Sequence, residues 1–367
     1  MQNRISDKNK KELLKFAKKA ASLGNKLLLD THRLTPTNFE EEKEKFYSSN
    51  NYNPQFKYKK EDLQGYKEEI NQLHIRLNLI SLPNDLRNYL KKYLNDLFHL
   101  YTALEVLGTN EFTLATKKIF HWDIDNIKNI KRNLPKISLK SSKEKPLDAN
   151  AIRKEFLKAL KEKYRIEDYP LEINNFNSHI ISDSLTKLKI GARVKRNPNN
   201  VRRLIVHEIE SHVLQKLNIK KSQNPLLKLV TYKDRMVYME GLAVYNEFKT
   251  NTITKSAYDI YKARLEAVEI SHKSFREIFN HLVKFISADK AYITTYRIKR
   301  GLGNTSHPGG LSKDASYLEG FGLIRKMEKN DEDIEKLYLY RVPKLGKLLL
   351  KYNLLSLKQF LLPKFNS

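Results

Sequence analysis

The chain has 367 residues, of which 69 are lysine or arginine and 42 are aspartate or glutamate, giving a formal net charge of +27. It contains no cysteine, which excludes disulfides, thiolate metal sites and cysteine nucleophiles. No run of about eighteen apolar residues appears and the first residues are charged, so we expect a cytoplasmic protein with no membrane partner.

The positive charge bears on partners more than on fold. A charge of this size attracts polyanions. However, the sequence has no helix-turn-helix, zinc-finger or RNP-like signature, so nucleic acid is not the partner that we expect. The abundance of Lys, Asn and Ile also suits an AT-rich genome, which would leave much of the charge on solvated faces.

The N-terminal part has the pattern of a helical scaffold. Apolar side chains from Leu13 to Leu23 recur at three- and four-residue steps, with lysines at the other positions, as in an amphipathic helix. Two longer amphipathic stretches, residues 61–80 and 84–107, are separated by Pro83 and are expected to pair as a helical hairpin.

A polar stretch from Leu134 to Asp148 interrupts this pattern and contains prolines, serines and lysines, which is typical of a connection. We therefore divide the chain into an N-terminal helical scaffold, residues 1–145, and a catalytic portion, residues 146–367, packed together as one compact unit.

Short strands are expected next. Residues 170–173, 179–182 and 188–194 have the composition and alternation of β-strands and predict a small sheet. We expect residues 187–194 to form its edge, where an extended peptide could add as a further strand. The alternative is an ordinary hairpin strand.

The following helix carries two imidazoles and a carboxylate within an apolar pattern. His207, Glu208 and His212 form an HExxxH motif, in which the imidazoles are metal donors and Glu208 is a candidate general base. On a regular helix, residues five apart differ by roughly 140° in direction, so the rings would diverge. A π-bulge would bring them to one face, so we predict a distorted turn between them. The alternative is two hydrogen-bonded core histidines with Glu208 at the surface.

A catalytic zinc needs a third protein ligand and an open position for water. The next helical stretch, Tyr238 to Glu247, contains two acids one heptad apart. Glu240 is the better candidate because the adjacent Gly241 would let another backbone come close, whereas Glu247 lies nearer the polar end. The alternative for Glu240 is a carboxylate on the helix surface.

These motifs resemble a known family. The segment HEIESH followed by MEGLAVYNE is similar to the signatures of the flavohemoglobin expression-modulating QEGLA motif family, which is related to the microtubule-associated tyrosine carboxypeptidases. Similar segments between about residues 35 and 325 cover most of the chain, although Met239 stands where the bacterial signature has glutamine. The resemblance implies that His207, His212 and Glu240 bind one Zn²⁺ ion and that Glu208 is the catalytic acid/base.

The helical patterns and the short strands together predict an α+β fold that is predominantly α-helical. Within it, the resemblance implies a gluzincin-like zinc peptidase core with a small β-sheet ahead of the active helix and an N-terminal helical scaffold.

The resemblance continues in Tyr296–Leu302 and His307–Asp314, which implies that this segment borders the site. A carboxypeptidase must bind a free terminal carboxylate, which arginine does with two parallel charge-assisted bonds. The candidates for this clamp are Arg297, Lys299 and Arg300, with a solvated basic helix end as the alternative. The candidates for stabilising the oxyanion are Tyr296, His307 and Tyr317.

The sequence therefore predicts a zinc-dependent metallopeptidase. We expect a carboxypeptidase that removes a C-terminal residue, tyrosine or another aromatic, from a peptide or protein tail, with an acidic tail as one option. Zinc would activate the water and Glu208 would accept its proton. The alternatives are an endopeptidase and a regulatory or nucleic-acid-associated basic protein with a non-catalytic metal site. The sequence leaves the oligomeric state open.

Overall fold

Helices account for most of the chain in the computed structural model, which describes residues 5–122, 124–136, 144–174, 180–182, 187–356 and 360–365. The prediction of an α+β fold in which helix predominates is confirmed. The described helices before residue 137 are α1 (Asp7–Lys26), α2 (Phe39–Ser48), α3 (Tyr66–Leu79), α4 (Asn84–Glu105), α5 (Phe112–Ile119) and α6 (Ile124–Arg132).

The first helices form from the expected amphipathic patterns. Ser6 caps α1 by accepting a hydrogen bond from the Asn9 amide, and the buried face of α1 packs on α3 and α4. The hairpin of α3 and α4 is confirmed. The expected start of α3 at residue 61 is wrong, because the helix begins at Tyr66, directly after Gly65 turns the chain with a φ of +83°.

The rest of the chain contains the elements around the candidate site. Helix α7 (Ala149–Lys158) is followed by a π-helical turn (Ala159–Lys163) and by the strands β1 (Leu171–Asn174), β2 (Ile180–Ser182) and β3 (Leu188–Gly191). A continuous helical stretch then comprises α8 (Pro198–Leu204), a π-helical segment (Ile205–Val213) and α9 (Leu214–Ser222). The remaining α-helices are α10 (Tyr232–Lys249), α11 (Lys255–Glu269), α12 (Phe275–Leu282), α13 (Ala288–Lys299), α14 (Ser316–Lys329), α15 (Leu337–Tyr340) and α16 (Pro343–Lys351).

The described strands form one mixed sheet in the order β1-β3-β2. Strand β3 pairs in parallel with β1 and antiparallel with β2. The prediction that residues 187–194 form the sheet edge is therefore wrong. Leu188 and Ile190 are fully buried, as apolar residues of a central strand are, and the outer strand β2 lies against the π-helical segment.

Helices α10 and α14 pack backbone to backbone next to the candidate site. A Cβ atom added to Gly241 would lie 2.3 Å from the carbonyl carbon of Gly320, so neither position has room for a side chain. The close approach that Gly241 predicted is confirmed, and it fixes the position of Glu240 on α10.

The division into residues 1–145 and 146–367 stays a prediction, and residues 137–143, within the proposed connection, lie outside the described residues. Among the helices that the structure describes, none combines the length and the apolar character needed to cross a membrane.

Candidate metal centre

The two histidines of the HExxxH motif lie on one face of a widened helical segment. Residues Ile205–Val213 are π-helical, so the distorted turn expected from the five-residue spacing is confirmed. The rings of His207 and His212 have centroids 4.9 Å apart and planes at 88°. The Ser211 hydroxyl donates to the Val206 carbonyl at 2.9 Å within the same segment.

Helix α10 places a carboxylate opposite the two rings. Glu240 Oε2 lies 3.4 Å from His207 Nε2 and 3.7 Å from His212 Nε2. One donor atom from each residue lies within 4.8 Å of the others, so the three side chains could hold a metal ion. The buried Glu240 Oε2 makes no hydrogen bond to the described residues, a costly arrangement that a cation would remove.

In the cluster, burial and the neighbouring charges shift the pKa values of Glu240 and His207 in opposite directions. Burial disfavours the ionised form of Glu240, but His207 and His212 hold the pKa of Glu240 well below its ordinary value. Burial also disfavours the charged form of His207, yet Glu240 and Glu247 raise the pKa of His207 to about 10. Protons and a divalent cation would therefore compete for the same imidazole nitrogen.

Glu208 directly follows the first histidine. Its side chain is buried, with 8% exposure, so the alternative that places Glu208 at the surface is wrong. Its Oε2 atom has no hydrogen-bond partner within the described part of the chain. A buried carboxylate with an unused oxygen beside the cluster has the chemistry of a general base.

A second buried carboxylate, Glu247, lies behind His207. It lies two residues before the end of α10, as its position nearer the polar helix end predicted, yet its exposure is 0%. Glu247 Oε1 lies 2.7 Å from His207 Nδ1 and accepts hydrogen bonds from Arg203 Nη1 at 2.7 Å and from the Tyr261 hydroxyl at 2.9 Å. Its spacing from Glu240 could have pointed to it, because two helical turns put both acids on the same side of α10.

The three cations proposed for a carboxylate clamp have different surroundings. Arg297 forms a bidentate pair with the buried Asp314, with Nη2 and Oδ1 at 2.8 Å. Lys299 is fully buried and donates to the carbonyls of Ser271 at 3.1 Å and His307 at 2.6 Å. Arg297 and Lys299 therefore make internal contacts instead of forming a solvated basic helix end.

Arg300 differs from both. It is 3% exposed, and its Nε and Nη2 atoms find no hydrogen-bond partner among the described residues. Burial and the neighbouring Arg297 both lower the pKa of Arg300. A buried guanidinium without an anion is costly, which makes Arg300 a candidate for binding one.

Sequence reasoning did not select Lys313, although it lies in the HPGGLSKD segment that resembles the family. It precedes Asp314, the partner of Arg297, and is itself only partly exposed. Burial, followed by the charges of Arg300 and Arg297, lowers the pKa of Lys313 to about 7, while Asp314 and Glu240 oppose this shift. Lys313 thus interacts electrostatically with Arg300 and, with the opposite sign, with Glu240.

The three candidates for stabilising an oxyanion also have different surroundings. The Tyr296 hydroxyl donates to the Leu34 carbonyl at 2.9 Å, and the His307 carbonyl accepts from Lys299. Tyr317 stacks on Tyr261, with ring centroids 5.4 Å apart. Burial and then the Glu240 carboxylate raise the pKa of Tyr317, so its hydroxyl stays protonated near the cluster as a hydrogen-bond donor.

Comparison with known proteins agrees with the motifs. The model of the family described as "Microtubule-associated tyrosine carboxypeptidase" matches residues 42–355, which include all three candidate ligands. The mouse protein named "Microtubule-associated tyrosine carboxypeptidase 1" is 24% identical over 339 residues, covering 84% of this chain. The match covers 62% of the mouse protein. The chain belongs to the microtubule-associated tyrosine carboxypeptidase family.

Proposed function

We propose that this protein is a zinc-dependent carboxypeptidase that removes the last residue, tyrosine or another aromatic, from a peptide or protein tail. The observation that carries the proposal is the convergence of His207, His212 and Glu240, with the buried Glu208 beside them. Membership of a family named for carboxypeptidases supports the reaction class.

The donor set supports zinc. Two imidazole nitrogens and one carboxylate, with a fourth position open, are typical of catalytic zinc sites. Ligand atoms at about 2.1 Å from a tetrahedral zinc ion lie roughly 3.4 Å apart. The separations of 3.4 Å and 3.7 Å between Glu240 Oε2 and the two Nε2 atoms agree with that spacing. Zinc bound there would supply Lewis-acid activation of water at neutral pH.

The chain's own residues perform the proton transfers. Glu208 would accept a proton from the attacking water and donate it to the departing amine, which becomes the free amino acid. Its Oε2 atom, which bonds to none of the described residues, is the acceptor that this role needs. Among the candidates for an oxyanion donor we choose Tyr317, because burial and the charge of Glu240 raise the pKa of its hydroxyl and keep it protonated as a donor.

For the terminal carboxylate we propose Arg300 and Lys313. Arg297 is neutralised by Asp314, and the Lys299 ammonium is held by two backbone carbonyls, so both are already engaged within the protein. Two guanidinium nitrogens of Arg300 have no hydrogen-bond partner among the described residues, and the charge of Arg300 acts on Lys313. A substrate carboxylate would pair with both cations and offset the cost of burying them.

The proposal is tested by mass spectrometry of a peptide library incubated with zinc-loaded protein. We expect single C-terminal residues to be lost from free peptides and not from their C-terminal amides. The Glu208→Gln variant should still bind zinc and should be inactive, because the amide cannot accept the proton. Cleavage at internal bonds would make the protein an endopeptidase, and full activity of Glu208→Gln would contradict the mechanism.

A further inference from the structure

We infer that Glu247 is a positioning residue, which fixes the tautomer and orientation of His207 and thereby sets the metal affinity of the site. The inference rests on the metal centre of the proposed function. It extends that function because Glu247 lies behind the cluster, is fully buried, and touches a ligand instead of the metal or the substrate.

The hydrogen-bond chemistry leaves one choice of tautomer. Glu247 Oε1 lies 2.7 Å from His207 Nδ1. An ionised carboxylate only accepts hydrogen bonds, so Nδ1 must carry the proton. In a neutral ring the lone pair is then on Nε2, the nitrogen that faces Glu240 across 3.4 Å. Of the two neutral tautomers of His207, Glu247 thus selects the one whose Nε2 can bind a metal.

The partners of Glu247 keep its carboxylate ionised and in place. Oε1 also accepts from Arg203 Nη1 at 2.7 Å and from the Tyr261 hydroxyl at 2.9 Å. Arg203 lies one helical turn before His207 and is itself held by Asn200, whose side-chain oxygen accepts from Arg203 Nε at 3.0 Å. The arginine therefore balances the buried charge from the helix that also carries the ligand.

The second histidine has no such support. His212 Nδ1 is buried and forms no hydrogen bond to any described residue. Of the two histidines, therefore, His207 is the one that a carboxylate orients by a hydrogen bond. Outer partners of this kind typically contribute 10- to 100-fold in metal affinity. Removal of Glu247 should accordingly weaken metal binding, although no ligand is lost.

Two variants of Glu247 should weaken zinc binding to different degrees. In Glu247→Gln the amide oxygen can still accept from Nδ1, but the charge is lost. The amide nitrogen then replaces Oε2, a buried atom for which the described residues provide no hydrogen-bond partner. We expect the zinc Kd, measured by chelator competition, to rise about tenfold. Glu247→Leu removes the acceptor altogether, and its zinc Kd should rise about 100-fold.

Glu210→Gln is the matched control. Glu210 is a buried glutamate of the same π-helical segment and bonds to the Tyr164 hydroxyl and to Lys163, both at 2.8 Å. If Glu247 only stabilised the fold, both glutamine variants would lower Tm and leave the zinc Kd unchanged. We expect Glu210→Gln to lower Tm alone and Glu247→Gln to raise the Kd.

The wild-type protein provides a test that does not depend on a variant folding. Nitrogen-15 NMR of the zinc-loaded protein should show the His207 proton on Nδ1. A proton on Nε2, or an unchanged zinc Kd in both Glu247 variants, would overturn the inference while leaving the metal centre intact. If the wild-type protein binds no zinc at all, the proposed function itself fails.

Discussion

The contact between Gly241 and Gly320 gives the sharpest prediction about how the fold supports the site. In Gly241→Ala the new Cβ would lie 2.3 Å from a backbone carbon of Gly320, against 3.4 Å for an ordinary contact. Helices α10 and α14 would therefore have to separate by about 1 Å, because neither backbone can rotate away. Overpacking of this kind costs about 1–3 kcal/mol of the free energy of unfolding.

The displaced helix carries Glu240, so the damage should reach the metal. Ligand distances in metal sites hold to within about 0.2 Å, far less than the required movement. We expect Gly241→Ala to lose about 2 kcal/mol in urea unfolding and to bind zinc at least tenfold more weakly. Gly322→Ala is the control, because a Cβ there meets nothing within 4 Å, and it should gain up to about 1 kcal/mol. Unchanged stability and zinc affinity in Gly241→Ala would refute the reasoning.

Three further predictions concern buried charges and the proposed substrate groups. Burial raises the pKa of Asp96 to about 7, whereas in the unfolded chain it is near 4. Between about pH 4 and pH 7 the folded protein therefore keeps a proton that the unfolded chain loses, so the free energy of unfolding falls as the pH rises. Asp96→Asn, which can still accept from the Tyr232 amide, should be more stable than wild type at pH 8, by up to about 4 kcal/mol, and similar at pH 4 in denaturant unfolding. Lys313→Met should raise KM for free peptides more than tenfold, since each carboxylate bond to a cation contributes about 1.5–3 kcal/mol, and an unchanged KM would remove Lys313 from the clamp. Tyr317→Phe should lower kcat about 100-fold with little change in zinc Kd, and an unchanged kcat would exclude Tyr317 as the oxyanion donor.

Local patterns predicted the parts of the site that depend on one helix. The five-residue spacing of His207 and His212 required a widened turn, because a regular helix would point the rings apart, and the segment is π-helical. Gly241 predicted a close backbone contact for a similar reason. These features follow from helical geometry and need no knowledge of distant contacts.

The parts that sequence reasoning missed depend on distant partners. Glu247 was set aside because it lies nearer the polar end of its helix, but Arg203, 44 residues earlier, and His207 pair with it in the interior. Arg297 looked free to bind a substrate, but Asp314 lies 17 residues further along the chain and occupies its guanidinium. Pairing of buried charges is a tertiary event, so composition near each residue does not reveal it.

The same limit applies to the sheet. The alternation in residues 187–194 correctly indicated a strand, yet period alone does not tell an edge strand from a central one. Only the pairing of β3 with β1 on one side and β2 on the other decides that Leu188 and Ile190 are buried.

The central claim is that one metal ion is held jointly by the π-helical segment and α10. Anomalous diffraction from zinc-loaded crystals tests it most directly. The account predicts a single zinc peak about 2.0–2.2 Å from His207 Nε2, His212 Nε2 and Glu240. A peak bound by other residues, or no peak between these three side chains, would contradict it.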